Sequence, residues 1–331
     1  MENNPNYGCL LTGNFIRLDL MFMKKAYVIF LMFFFIFDAS AQNKKFDKIL
    51  KDIDIVEYVK NVPSGNYKEF WNSVVVNNKR MVKFKKAAEK NTQAFQAARK
   101  DMGEALMFAQ MAIESQRTYD LKKITDTIIA YTGANTIWPK LTLDIVADDS
   151  PNAYCYPEGQ IFITGALLDA TNCDFGQLLG VFAHECAHVL LFHHYTSAWA
   201  IQKKLITNTA VAASVAAVNA MANAYAQANG AVDNSSWDSV NRTTAQLANA
   251  AYDDAMHRFR YKYARGEEYE ADVIAYRFLE WCGIGGESYI NALETIAKDD
   301  DLYYGKDEDH PKTSERVALL RYMASAYPMF Q

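Results

Sequence analysis

Residues 174–196 hold the strongest constraint on how this chain folds. Phe175, Leu178, Leu179, Val181, Phe182, Ala183, Ala187, Val189, Leu190, Leu191 and Phe192 leave no polar stripe for water. The segment therefore reads as a helix buried on all sides, inside the core. Within it stands His184-Glu185-Cys186-Ala187-His188. Two imidazoles and a carboxylate at the centre of an apolar helix are costly unless something pairs them. Residues four apart in a helix sit about 40° from each other on one face. His184 and His188 can thus bind one Zn²⁺, with Glu185 placed to work on a metal-bound water. Histidines satisfied by core hydrogen bonds are the plain alternative.

Zinc needs at least one more protein ligand and an open position for water. His193 and His194 would lie about 7 Å or more beyond His188 along a straight helix. They are expected to close that helix, where cations meet the negative end of its dipole. His257, His310 and the carboxylates remain. In Arg265-Gly266-Glu267-Glu268-Tyr269-Glu270-Ala271-Asp272, residues Glu268 and Asp272 share a face at i, i+4. One can bind the metal while the other orients a ligating histidine from behind. A solvated charge run is the competing account of the same segment.

The rest of the chain supplies a helical frame. No proline lies between Pro157 and Pro311, so that interval can be mostly helix. Helices are expected at 46–59, 67–78 and 79–127, with Pro63-Ser64-Gly65 as a turn. Leu141, Leu143, Ile145 and Ala147 alternate with Thr142, Asp144 and Val146, which suggests a short strand. A second strand, Gln160 to Thr164, follows the turn Pro157-Glu158-Gly159, and helix resumes after Gly165. The Ala- and Asn-rich stretch 200–229 and a helix at 236–265 read as a hairpin. Asn219, Asn223 and Gln227 interrupt the first arm, so it is not a membrane span. Gly266 is expected to break the chain before a helix at 267–281, which Gly283 caps. Helices at 287–298 and 313–326 flank an acidic loop, 299–309. The fold class is mainly α with a small β-sheet (α+β), in one compact domain. Across 331 residues the net charge is −5, which argues against a nucleic-acid binder.

The N-terminus reads as an export signal. Lys24 and Lys25 precede the apolar run Ala26 to Phe37, and small residues at Ala39 and Ala41 suit cleavage after Ala41. Residues 1–22 are then an upstream extension before Met23. The run is short of the roughly 20 residues that span a bilayer. An uncleaved anchor is the alternative. The expected product is exported, periplasmic or secreted, without a transmembrane span. In such a compartment Cys155 and Cys173, which flank one strand segment, can pair; four free thiols are the other outcome.

The H-E-x-x-H helix, followed about 80 residues later by R-x-x-E-x-x-A-D, resembles zinc metallopeptidases of the HtpX and CAAX prenyl protease type, a gluzincin group. Asn152-Ala153-Tyr154 with Pro157-Glu158-Gly159-Gln160-Ile161-Phe162-Ile163 resembles that family's edge strand. Gly165-Ala166-Leu167-Leu168 resembles the G-L-L that follows it, and His310-Pro311 with Arg316 resembles a C-terminal H-P-x-x-x-x-R. Ala264 and Glu158 depart from the family pattern, away from the metal. The resemblance spans residues 120–326 and implies a gluzincin fold with the active-site helix in the core. Residues 1–41 are then extension and signal, 42–119 an N-terminal helical region, and 120–326 the peptidase domain with its hairpin at 200–264.

The resemblance further implies His184, His188 and Glu268 as ligands of one Zn²⁺ per subunit, Glu185 as general base, and Asp272 as partner of a ligating histidine. Gln160, Ile161, Phe162 and Ile163 would form the edge strand on which an extended substrate adds. An oxyanion partner is also required. His310 is favoured, with a tyrosine or Arg316 as rivals, and His310 can alternatively block the open metal position. The expected function is a zinc-dependent endopeptidase acting on unfolded or misassembled polypeptides of the cell envelope, with peripheral envelope association possible. A zinc-stabilised, chaperone-like binding module with little turnover is the alternative.

Overall fold

The computed structural model describes residues 40–53, 62–63, 65–101, 122–208, 264–297 and 310–329. The chain divides into two compact units, 1–51 and 52–331. In the first, the described residues 40–51 are helical. The export-signal segment before residue 40, most of the hairpin expected at 200–264, His257 and the acidic loop 299–309 lie outside the described residues.

In the second unit, α1 (Tyr67–Asn77) starts where the Asn66 side chain accepts the Glu69 N–H. Asn78 repeats this for α2 (Lys79–Glu89), accepting the Met81 N–H at 2.8 Å. The helix expected to run on from 79 stops there, because Asn91 takes a left-handed φ of 45°; residues 93–101 are helical again. The next helix, α3 (Lys122–Thr132), accepts the buried Trp71 indole N–H at its Thr132 carbonyl, 2.9 Å away. The rings of Phe70 and Trp71 both stand 5.2 Å from Phe278. This aromatic cluster seats the helix that carries the acidic run against α1.

The sheet has three described strands: β1 (Thr142–Val146), β2 (Ala153–Cys155) and β3 (Gln160–Thr164). Their order is β1-β3-β2, with β3 parallel to β1 and antiparallel to β2. β3 is therefore central. The expectation that Gln160, Ile161, Phe162 and Ile163 form a substrate edge is corrected: Ile161 and Ile163 have partners on both sides, Leu143 and Ile145 on one and Cys155 and Ala153 on the other. A strand flanked on both sides has no open backbone edge for an added strand.

Thr164 caps α4 (Gly165–Ala170), and Asp174 caps α5 (Phe175–Leu190) by accepting the Gln177 N–H at 2.8 Å. Every residue of α5 from Leu178 to Ala187 is buried, as its composition requires. It ends earlier than expected. Phe192 adopts φ 52°, which no α-helix continues, and α6 (His193–Asn208) sets off at 45° to α5. His193 and His194 thus open a new helix instead of closing the old one. Among the described residues no single helix is long and apolar enough to cross a membrane. The bent pair α5–α6 passes that test only when joined, and α5 is the core helix of the molecule.

The acidic run lies on α7 (residues 264–281), which passes through Gly266 without a break. A Cβ at Gly266 would stand 2.8 Å from Arg80 Nη2, so this glycine permits the close approach of α2. Gly283, at φ 74°, closes α7, with the Ile284 N–H bonded to the Leu279 carbonyl. Then follow α8 (Glu287–Ile296) and α9 (Thr313–Ala326). Helices α5 and α8 touch at Gly180, where a Cβ would come within 2.9 Å of Tyr289 Cβ. Cys155, Cys173, Cys186 and Cys282 are all free thiols, and the Cys155–Cys173 bridge is not formed.

Candidate metal centre

Helices α5 and α7 bring His184, His188 and Glu268 together, with one donor atom from each lying within 4.8 Å of the others. The two Nε2 atoms are 3.1 Å apart. Glu268 Oε1 is 3.3 Å from His188 Nε2, and Oε2 is 3.6 Å from His184 Nε2. The chemistry of this donor set can be tested against an ion. Around a tetrahedral zinc with bonds of about 2.0–2.1 Å, ligand atoms lie about 3.3–3.4 Å from one another. The three separations, two of them to different oxygens of Glu268, bracket that value, so the residues fit a metal of this size.

Each imidazole is held from behind by its other nitrogen. His184 Nδ1 lies 3.1 Å from Asp272 Oδ1 and 2.9 Å from the Tyr289 hydroxyl, which itself donates to Asp272 Oδ1 at 2.7 Å. A carboxylate only accepts, so the His184 proton belongs on Nδ1 and the Nε2 lone pair faces His188 and Glu268. Arg316 grips both oxygens of Asp272, Nε to Oδ2 at 2.9 Å and Nη2 to Oδ1 at 2.6 Å. Arg316 and Tyr289 are thus committed to Asp272 behind His184. Both residues named for the oxyanion role reach the Glu268 carboxylate: His310 Nδ1, on a half-exposed side chain, is 2.9 Å from Oε2, and Arg316 Nη2 is 3.8 Å from the same oxygen.

Burial separates this site from a solvated charge run. Glu267, Glu268, Glu270 and Asp272 expose 5, 7, 3 and 0% of their surface. Each has its own partners: Glu267 accepts from Thr196 and Ser197, and Glu270 from Asn78. Burial raises Glu267 to about 8 against the lowering by Ser197, Arg80 and Thr196. Burial would raise Glu268 too, but His188 and hydrogen bonds from His184, His188 and His310 hold it well below the usual carboxylate range. Burial opposes charge on His184, yet Asp272 and Glu268 raise it to about 9. His193 is forced well below its ordinary value by burial, then by His188 and Arg80; burial takes His194 to about 4.

Glu185 is buried on α5 beside these groups. Cys155, at the end of β2, faces it: burial first, then the Glu185 carboxylate, pushes this thiol well above its usual value. His194 Nε2 lies 3.7 Å from the same sulfur. Sequence reasoning passed over Tyr289 and Glu270, and it set His193 aside on the assumption of a straight helix. A histidine five residues beyond His188 was the available signal.

A buried helix carrying two histidines one turn apart, with a carboxylate from a second helix closing on the same point, defines a metal-dependent hydrolase of the H-E-x-x-H class. The pattern of Peptidase family M48 matches residues 115–324, and the chain belongs to that family. It is therefore a metallopeptidase, a hydrolase of peptide bonds, and its α+β fold agrees with this. No curated protein matches the chain.

Proposed function

We propose that the protein is a zinc-dependent endopeptidase that cleaves unfolded or misassembled polypeptides in the cell envelope. The observation that carries the site assignment is the convergence of His184, His188 and Glu268 at tetrahedral edge lengths. These three residues would hold the ion. Zinc bound there supplies Lewis acidity toward the scissile carbonyl and lowers the pKa of water in its open position.

This chain's own residues supply the remainder. Glu185 takes a proton from the attacking water and returns it to the leaving amine. Asp272, fixed by Arg316 and Tyr289, keeps the His184 proton on Nδ1. His310, the half-exposed imidazole next to Glu268, donates to the developing oxyanion. The envelope setting is supported by the Lys24-Lys25 and apolar Ala26–Phe37 pattern that ends in Ala39 and Ala41.

Cleavage of unfolded casein by wild type and Glu185→Gln, with zinc content measured on both, tests this reading. Turnover should fall by at least about 100-fold while zinc is retained. Equal activity in the two proteins rejects Glu185 as the base, and an inactive wild type with full zinc favours a zinc-stabilised binding module. In the same assay His310→Ala should lower turnover; a rise would assign it to blocking the metal instead.

A further inference from the structure

The reaction as described leaves the buried His193 unused. His193 opens α6, only 3% exposed, and its ring stands edge-on to that of His188 with centroids 4.8 Å apart. His193 Nδ1 is 2.9 Å from His188 Nδ1. On the far side of the ring, His193 Nε2 is 3.3 Å from Glu270 Oε2, an oxygen that also lies 3.4 Å from Arg80 Nη1. The other Glu270 oxygen accepts from Asn78 Nδ2 at 2.8 Å. Neither His193 Nε2 nor Glu270 Oε2 forms a well-directed hydrogen bond, to each other or to any other group, although both are buried. Such atoms are expected to satisfy each other.

Pairing of these two atoms sets the proton directions along this chain. A carboxylate between an amide N–H and a guanidinium only accepts, so the His193 proton sits on Nε2 and points at Glu270. Its Nδ1 is left with a lone pair, which accepts the proton of His188 Nδ1. That in turn leaves the lone pair of His188 on Nε2, facing His184 Nε2 and Glu268. We infer that His193, anchored by Glu270, Asn78 and Arg80, is a positioning residue that sets the tautomer and ring orientation of His188 for metal binding. It does for His188 what Asp272 does for His184, using a neutral imidazole as acceptor. The arrangement draws on four helices: His188 on α5, His193 on α6, Glu270 on α7, and α2 with its cap Asn78 and Arg80.

The inference rests on His184, His188 and Glu268 being the metal site, and its test separates the two claims. Zinc dissociation constants are measured on the purified chain by competition with a chromophoric chelator, for wild type, His193→Leu and His193→Asn. The asparagine Oδ1 can accept where His193 Nδ1 did. His193→Leu should weaken zinc binding about 10- to 100-fold, and His193→Asn should recover most of that loss. Undiminished affinity in a folded His193→Leu, or equal weakness in both variants, overturns the role of His193 alone. A wild type that binds no zinc overturns the metal site itself. Should the leucine variant not fold, nitrogen NMR of the zinc-loaded wild type with labelled histidine decides: His193 should be neutral with its proton on Nε2, and a proton on Nδ1 contradicts the inference.

Discussion

A part-buried histidine that resists protonation makes the native state sensitive to acid. Burial lowers His194 from 6.5 to about 4. Between those values the unfolded chain binds a proton that the folded one refuses, so stability falls as pH drops through that window and is fully present above it. The melting temperature should therefore decline from about pH 7 to about pH 5, and less steeply in His194→Asn. A parallel decline in both proteins would show that His194 does not contribute. The metal-site residues show the same competition between burial and partners. Glu267 and Glu268 are neighbours in the chain, yet burial wins at the first and nearby imidazoles win at the second. Side-chain identity in the run Glu267–Asp272 was legible, but a buried cluster and a solvated run share one composition. Only the partners on α2, α5 and α6 distinguish them.

Among elements, the contact of α5 with α8 fixes how Tyr289 reaches Asp272. Gly180 leaves no space there: an added Cβ would meet Tyr289 Cβ at 2.9 Å and Leu279 Cδ1 at 3.0 Å. Overpacking of this kind costs about 1–3 kcal/mol, more than the modest helix-propensity advantage of valine over glycine. Gly180→Val should lower unfolding free energy by about 1 kcal/mol or more in denaturant titration; an unchanged midpoint would mean the helices can slide apart. Where side-chain period and caps agree, the elements follow from sequence: β3, the Gly283 stop and the helix Thr313–Ala326 all lie where expected. Three misreadings share a cause, in that the deciding contact is non-local. β2 is three residues long and has no alternation to read, so the central position of β3 stayed hidden. Phe192 turns left-handed although phenylalanine carries no such signal. Gly266 punctuates nothing and instead admits Arg80.

At the scale of the molecule, a parallel-antiparallel sheet, the core helix α5 and the acidic helix α7 converge on one point, and residues 115–324 carry the family pattern that contains it. His184 and His188 come from one helix and Glu268 from a helix 80 residues later in the chain, so an ion held there would bridge segments that only the folded state brings together. The most direct test of the account is the zinc content per chain of the purified wild type and of Glu268→Ala, measured by elemental analysis after dialysis. The account predicts one equivalent in the wild type and little or none in the variant. Full zinc in Glu268→Ala, or none in the wild type, would contradict it.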